Sequence, residues 1–164
     1  MPTRTLIATG LGTAAAAVIG SIASKAGVQT WYPTLKKPRY VPPNAVFPVA
    51  WTTLYTDIAV TSAATIDTLR ERGDDAEKRA YTAALCANLV LNAGWSWLFF
   101  SAHKLGPSAL AAGALAISSA DLTRRTAKVN SQAGLALTPY PLWCTFATVM
   151  SSDIWRLNRR RCDH

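Results

Sequence analysis

WYPTLKKPRYVPP, residues 31–43, decides how the chain is read. Aromatic Trp31, Tyr32 and Tyr40 sit among the cations Lys36, Lys37 and Arg39 and the prolines Pro33, Pro38, Pro42 and Pro43. Proline fixes φ and removes a backbone donor, so no continuous helix runs through this stretch. It separates two long apolar segments. A stiff, basic, aromatic connector between apolar segments has the makings of a binding site.

Outward from it, charge is confined to a few places. Residues 5–24, 40–56, 80–102, 105–120 and 129–152 contain no Asp, Glu, Lys or Arg. A bilayer core takes about 20 mainly apolar residues per helix, and each stretch can be extended to that length. A soluble Ala-rich bundle would instead carry regular charge along one face of every helix. Trp31, Tyr32, Tyr40 and Trp155 stand with Lys and Arg near segment ends, as at a membrane–water interface. The reading is an all-α membrane protein, a single five-helix transmembrane domain over residues 1–164. The spans are 5–25, 44–66, 80–102, 105–123 and 132–155, and a structured loop, 26–43, lies between the first two helices. The first segment has no convincing cleavage site and is kept as a mature helix.

The net charge of +8 does not point to nucleic acid. Arg156, Arg159, Arg160 and Arg161 directly follow an apolar span, where basic clusters meet anionic head groups. Lys and Arg divide eight to nine between the two sides, so the positive-inside rule sets no orientation. Cys86, Cys144 and Cys162 lack metal-ligand spacing, and no metal or cofactor is expected.

Small residues recur at spacing four: Gly12, Ala16, Gly20 and Ser24 on the first helix, and Ala80/Ala84 and Ala83/Ala87 on the third. Such stripes let helices approach closely in lipid, either within the bundle or across a dimer. Aromatic side chains also fall inside spans. Trp51 and Tyr55 share one helical face, Asn92 and Trp95 another, and Trp143 and Ala147 a third. These could be ordinary packing, or flat walls of a cavity with one amide and a basic rim of Lys36, Lys37 and Arg39. The rim would suit a flat, apolar guest bearing carboxylates. Asp57, Asp121 and Asp153 are acids within or beside spans. Asp121 has Arg124 and Arg125 within a turn and Asp153 has Arg156; Asp57 has no cation near it in sequence.

Together these stretches resemble the translocator protein family, also called tryptophan-rich sensory proteins or peripheral-type benzodiazepine receptors. The match runs through W-Y-x-x-L-x-K-P (31–38), P-P-x-x-x-F (42–47), W-T-x-L-Y (51–55) and L-N-x-x-W-S-x-x-F-F (91–100). It continues in P-Y-x-x-W-x-x-F-A-T (139–148) and I-W-x-L-N (154–158). The resemblance implies a five-helix membrane bundle, often a homodimer, in a bacterial cell membrane. It implies a sensor or transporter binding porphyrin or heme, and in animals cholesterol and benzodiazepine-site ligands. The family pocket maps by motif position onto Tyr32, Pro42, Trp51, Asn92, Trp95, Trp143 and Ala147. Some bacterial members are reported to degrade protoporphyrin through tryptophans, here Trp51 and Trp143. A light-dependent porphyrin-degrading enzyme is therefore the alternative, and a sterol-binding protein another. Ser151 and Ser152 replace the Asn and Tyr of the animal cholesterol motif, which puts sterol binding there in doubt, and Ala45 replaces a common Trp. A third possibility is a structural membrane partner whose aromatics only pack.

Overall fold

The prolines of this chain punctuate helix starts. In the computed structural model, which describes residues 3–159, Pro48, Pro107, Pro139 and Pro141 all lie in the first turn of a helix. The first-turn N–H groups have no intrahelical acceptor, so proline there costs no hydrogen bond. The helices are α1 (Thr3–Thr30), α2 (Val46–Glu71), α3 (Asp75–Ser96), α4 (Leu105–Val129), α5 (Ser131–Leu137) and α6 (Pro139–Asn158). A 3-10 turn, Tyr32–Thr34, opens the first loop, and a π-helical turn, Trp97–Ser101, ends α3. No strand occurs among the described residues.

These bounds depart from the charge-free stretches in two ways. Helical hydrogen bonding does not stop where charge begins, so α1 runs to Thr30 and α2 to Glu71, past Asp67 and Arg70. The first loop therefore starts at Trp31 rather than at residue 26. The fifth segment is broken at Thr138, where Pro139 cannot donate to the preceding turn and a second helix restarts. Arg160 and Arg161 of the basic tail, with Cys162, lie outside the described residues.

The bundle packs apolar and polar side chains together inside and is apolar outside. Ile7, Leu11, Val18 and Ile22 line the outer face of α1, with Ile7 at 55% and Leu11 at 67% exposed, while Thr5, Thr9 and Thr13 face inward. Leu110, Ile117 and Leu135 are each more than 70% exposed. Large apolar side chains turned outward suit a hydrocarbon solvent. α1, α3 with its π turn, and α4 are long and apolar enough to cross a membrane by length and composition, at mean hydropathies of 1.8, 1.4 and 1.2. α2 is not among these helices; it carries Asp57 along its length and buries Thr61, Ser62, Thr65 and Asp67 on its inner face.

Hydrogen-bonded networks satisfy much of this inner polarity, although Asp67 Oδ2 and Ser151 Oγ are buried without a partner. Tyr81 on α3 donates to Ser62 on α2 at 3.1 Å and shares a 2.9 Å bond with Thr126 on α4. Nearer the other end, Tyr140 of α6 donates to Asn88 Oδ1 at 2.7 Å and accepts from Asn92 Nδ2 at 3.2 Å. Asn88 in turn donates to Ser118 of α4 at 3.1 Å. In a bilayer such bonds average about 0.6 kcal/mol each, so they contribute more to register than to stability.

Two glycines mark places where backbones touch. A Cβ on Gly27 would lie 2.4 Å from the Phe100 carbonyl of the π turn, and one on Gly134 2.4 Å from Ala127. The stripe on α1 works similarly: Ala16 and Gly20 are buried, and a Cβ on Gly20 would lie 3.2 Å from Ser96 of α3. On α3, Ala83 and Ala87 face outward instead.

Candidate functional site: an aromatic cavity under the first loop

The loop is fastened at its start and middle to parts of the chain far away in sequence, to α6 and to the turn before α4. Asn158, at the last turn of α6, accepts from Lys36 N at 3.1 Å and donates to Lys36 O at 2.9 Å. Its amide also donates to Ile154 O at 2.7 Å. Tyr40 donates to Asp153 Oδ2 at 2.7 Å, and Trp31 stacks on His103 at 4.2 Å between centroids. Partial desolvation, and then the Asp153 carboxylate, push the Tyr40 phenol up to about 12.

Beneath the loop lies a cavity of about 280 Å³ between α1, α2 and the C-terminal half of α3. Its walls are aromatic: Phe47, Trp51 and Tyr55 from α2, Trp95 from α3, Phe99 and Phe100 from the π turn, and Tyr32 from the loop. The π turn inserts one residue into the helical repeat, and Phe99 and Phe100 are both brought to the wall. Trp95 stacks on Phe99 at 5.4 Å, and Trp51 tilts over Tyr55 at 5.7 Å. Exposed Ser21 of α1 and Pro48 and Thr52 of α2 also line it, so the cavity reaches the outer surface between these two helices.

Two polar atoms here have no partner. Tyr32 Oη and Trp95 Nε1 are buried without a hydrogen bond, although both residues line the cavity. Burial alone raises the Tyr32 phenol pKa, so it stays a donor at neutral pH. An unmet buried donor costs about 1–3 kcal/mol, which an acceptor on a bound molecule would recover. Asn92 is different. Tyr55 donates to its Oδ1 at 2.9 Å and its Nδ2 is held by Tyr140, so the amide orientation is fixed by the network below.

Of the residues singled out from the sequence, Tyr32, Trp51, Asn92 and Trp95 line the cavity together. Trp143 stands one layer behind, edge-on to Trp51 at 6.5 Å and to Phe47 at 5.9 Å. Ala147 is buried on α6 and Pro42 half-buried in the loop, and neither lines the cavity. Among the basic residues, Lys37 is occupied by the loop itself. Its Nζ donates to Tyr32 O at 2.8 Å and sits 4.4 Å over the Tyr32 ring. Lys36 and Arg39 are exposed. Asn158 and Tyr40 were not picked out from the sequence as parts of the site. The I-W-x-L-N motif was the signal for Asn158, but its partner is 122 positions away.

Asp121 is paired with Arg125 at 2.7 Å and Arg124 at 2.5 Å, and Asp153 lies 3.7 Å from Arg156, as the spacing suggests. Asp57 is half-buried and makes no ion pair among the described residues. No group of His, Cys, Asp and Glu among them is arranged to hold a metal.

An apolar-coated helical bundle with an aromatic cavity under a fastened loop defines a polytopic membrane protein. The chain belongs to the TspO/MBR family, whose model matches residues 8–156. It is 34% identical over 154 residues to the tryptophan-rich protein TspO of Archaeoglobus fulgidus, covering 93% of this chain and 96% of that one. It is 34% identical over 128 residues to protein CrtK of Rhodobacter capsulatus, covering 78% of each. It is 30% identical over 129 residues to the human translocator protein, covering 78% of this chain and 75% of that one. The protein is thus an integral membrane protein, and its likeness to the Rhodobacter capsulatus protein supports the bacterial membrane expected from the sequence.

Proposed function

We propose that the cavity binds a planar, mainly apolar molecule carrying hydrogen-bond acceptors, and that a tetrapyrrole such as protoporphyrin IX or heme is the guest. The observation that carries this is the pair of unmet donors, Tyr32 Oη and Trp95 Nε1, set among flat aromatic walls. An apolar wall with a few fixed polar groups is the usual form of a small-molecule site. Exposed Lys36 and Arg39 in the loop above supply cations for propionate-type carboxylates, whereas Lys37 holds the loop closed around Tyr32. Cholesterol and benzodiazepine-site ligands offer fewer acceptors or lack paired carboxylates, and rank below.

In this reading the protein acts as a sensor or transporter, with the loop as lid. Light-dependent degradation of the bound porphyrin is the second reading. The edge-on contact of Trp51 with Trp143 favours it, because Trp51 meets the guest while Trp143 stands directly behind. Protoporphyrin should quench tryptophan emission of the purified protein, and Trp51→Ala should weaken that quenching. Quenching no greater than in protein-free detergent rejects the binding. Illuminated turnover that persists in a Trp51→Phe, Trp143→Phe double variant rejects the degradation reading alone.

A further inference from the structure

A second depression lies outside the aromatic cavity, where α2 and α3 meet beside their connecting turn. It is lined by Arg70 and Ile66 of α2 and by Lys78, Arg79, Thr82, Ala83 and Cys86 of α3. The two helices are antiparallel across the turn at Arg72–Asp74, so their lining residues fall into layers. Arg70, Lys78 and Arg79 occupy the layer nearest the turn. Ile66, Thr82 and Ala83 come next, and Cys86 lies about 10 Å below Arg79, two helical turns into the bundle. Below that, α3 presents exposed Ala87 and Val90, the latter 71% exposed, so the outer face stays apolar.

Charge at one end and apolar surface running inward from it is the profile of a glycerophospholipid. The 67–79 stretch also carries acids, but none of them lines the depression. Asp67 and Asp75 neutralise part of the charge of Arg70 and Lys78, and Glu77 faces Arg125. Arg79 is left exposed with no ion pair among the described residues. Arg70 is fixed through Nη1 alone, to Thr5 at 3.0 Å and Asp67 at 3.2 Å, and its side chain is 51% exposed. Its Nε and Nη2 make no hydrogen bond among the described residues, and Arg70 lines the depression together with Arg79.

We infer that the groove between α2 and α3 is a binding site for an anionic phospholipid. Arg79 and the free edge of Arg70 hold the phosphate, and an acyl chain lies over Ala83 and Cys86. Arg79 is the specificity-determining residue, because Arg70 and Lys78 are already committed to carboxylates. This site is independent of the aromatic cavity and does not rest on its guest.

Cys86 gives a local readout, since it is exposed at the deep end while Cys144 is 1% exposed. The full chain with Cys162→Ser is placed in nanodiscs of phosphatidylcholine alone or with phosphatidylglycerol, and alkylation of Cys86 is timed. Phosphatidylglycerol should slow alkylation several-fold, and Arg79→Gln should remove about fivefold of lipid preference, the usual effect of one interfacial cation. Native mass spectra should show phosphatidylglycerol retained by the parent chain and lost in Ala83→Leu, which fills the groove without changing charge. Equal rates in the two lipids, or an Arg79→Gln protein that keeps its preference, overturns the assignment. Equal protection by inorganic phosphate in phosphatidylcholine also overturns it, because the site would then take a free anion.

Discussion

Asn158→Ala tests how the lid is held. The wild-type carboxamide accepts the Lys36 N–H at 3.1 Å and donates to the Lys36 carbonyl at 2.9 Å, and Asn158 itself is only 2% exposed. Alanine removes both bonds and leaves Lys36 N–H and C=O without their partner. At about 0.5–1.5 kcal/mol per bond, the loop should lose roughly 1–3 kcal/mol of local stability. Opening of the loop then becomes roughly 5- to 150-fold more frequent. Hydrogen–deuterium exchange in detergent reads this directly: the Lys36 amide should exchange faster by that factor, while amides in the middle of α4 stay protected. Asn158→Asp separates the two bonds, because the carboxylate still accepts from Lys36 N but cannot donate. Its second oxygen would face the Lys36 and Ile154 carbonyls in a buried site, so the loop should open at least as often as in Asn158→Ala. Unchanged Lys36 exchange in Asn158→Ala would refute the clamp, whatever happens to global stability.

Gly27→Ala drives a Cβ to within 2.4 Å of the Phe100 carbonyl, so thermal stability in detergent should fall by about 1–3 kcal/mol, while Gly10→Ala, which meets nothing within 4 Å, should be neutral or slightly stabilising. Tyr140→Phe removes the hydroxyl shared by Asn88 and Asn92, which should cost about 1 kcal/mol and lower ligand affinity by freeing the Asn92 amide, measured by thermal unfolding and by titration. Tyr40 should titrate near pH 12 by ultraviolet absorbance, and Asp153→Asn should bring it part of the way back, since desolvation remains. Its folded pKa is raised, so its contribution is whole below pH 10 and is lost as pH climbs towards 12. Loop exchange should therefore accelerate in that alkaline window in wild type, and less so in Asp153→Asn.

The all-helical membrane class was legible because long charge-free stretches mark helices suited to a bilayer, and the α1 stripe because spacing four maps directly onto one helical face. Trp51 with Tyr55, and Asn92 with Trp95, could be paired for the same reason: local periodicity decides which side chains share a wall. What the sequence could not supply was relation between elements. Nothing in the spacing of Trp143 says that Phe47 and Trp51 would stand between it and the cavity. Lys37 reads as a rim cation, yet a carbonyl five residues back and the Tyr32 ring offer it a local partner. The π turn at Trp97–Ser101 also carries no periodic signature, although it shapes one wall of the cavity.

The central claim is that two unmet donors in the aromatic cavity receive a tetrapyrrole. It is tested most directly by titrating protoporphyrin IX into wild-type protein and into a Tyr32→Phe variant, which keeps the ring and removes one of the two donors. Wild type should bind saturably with quenching of tryptophan emission. The variant should be at least as stable, since the lost donor was unsatisfied, yet bind about fivefold more weakly, at roughly 1 kcal/mol per hydrogen bond. Equal affinity in the two proteins contradicts the account.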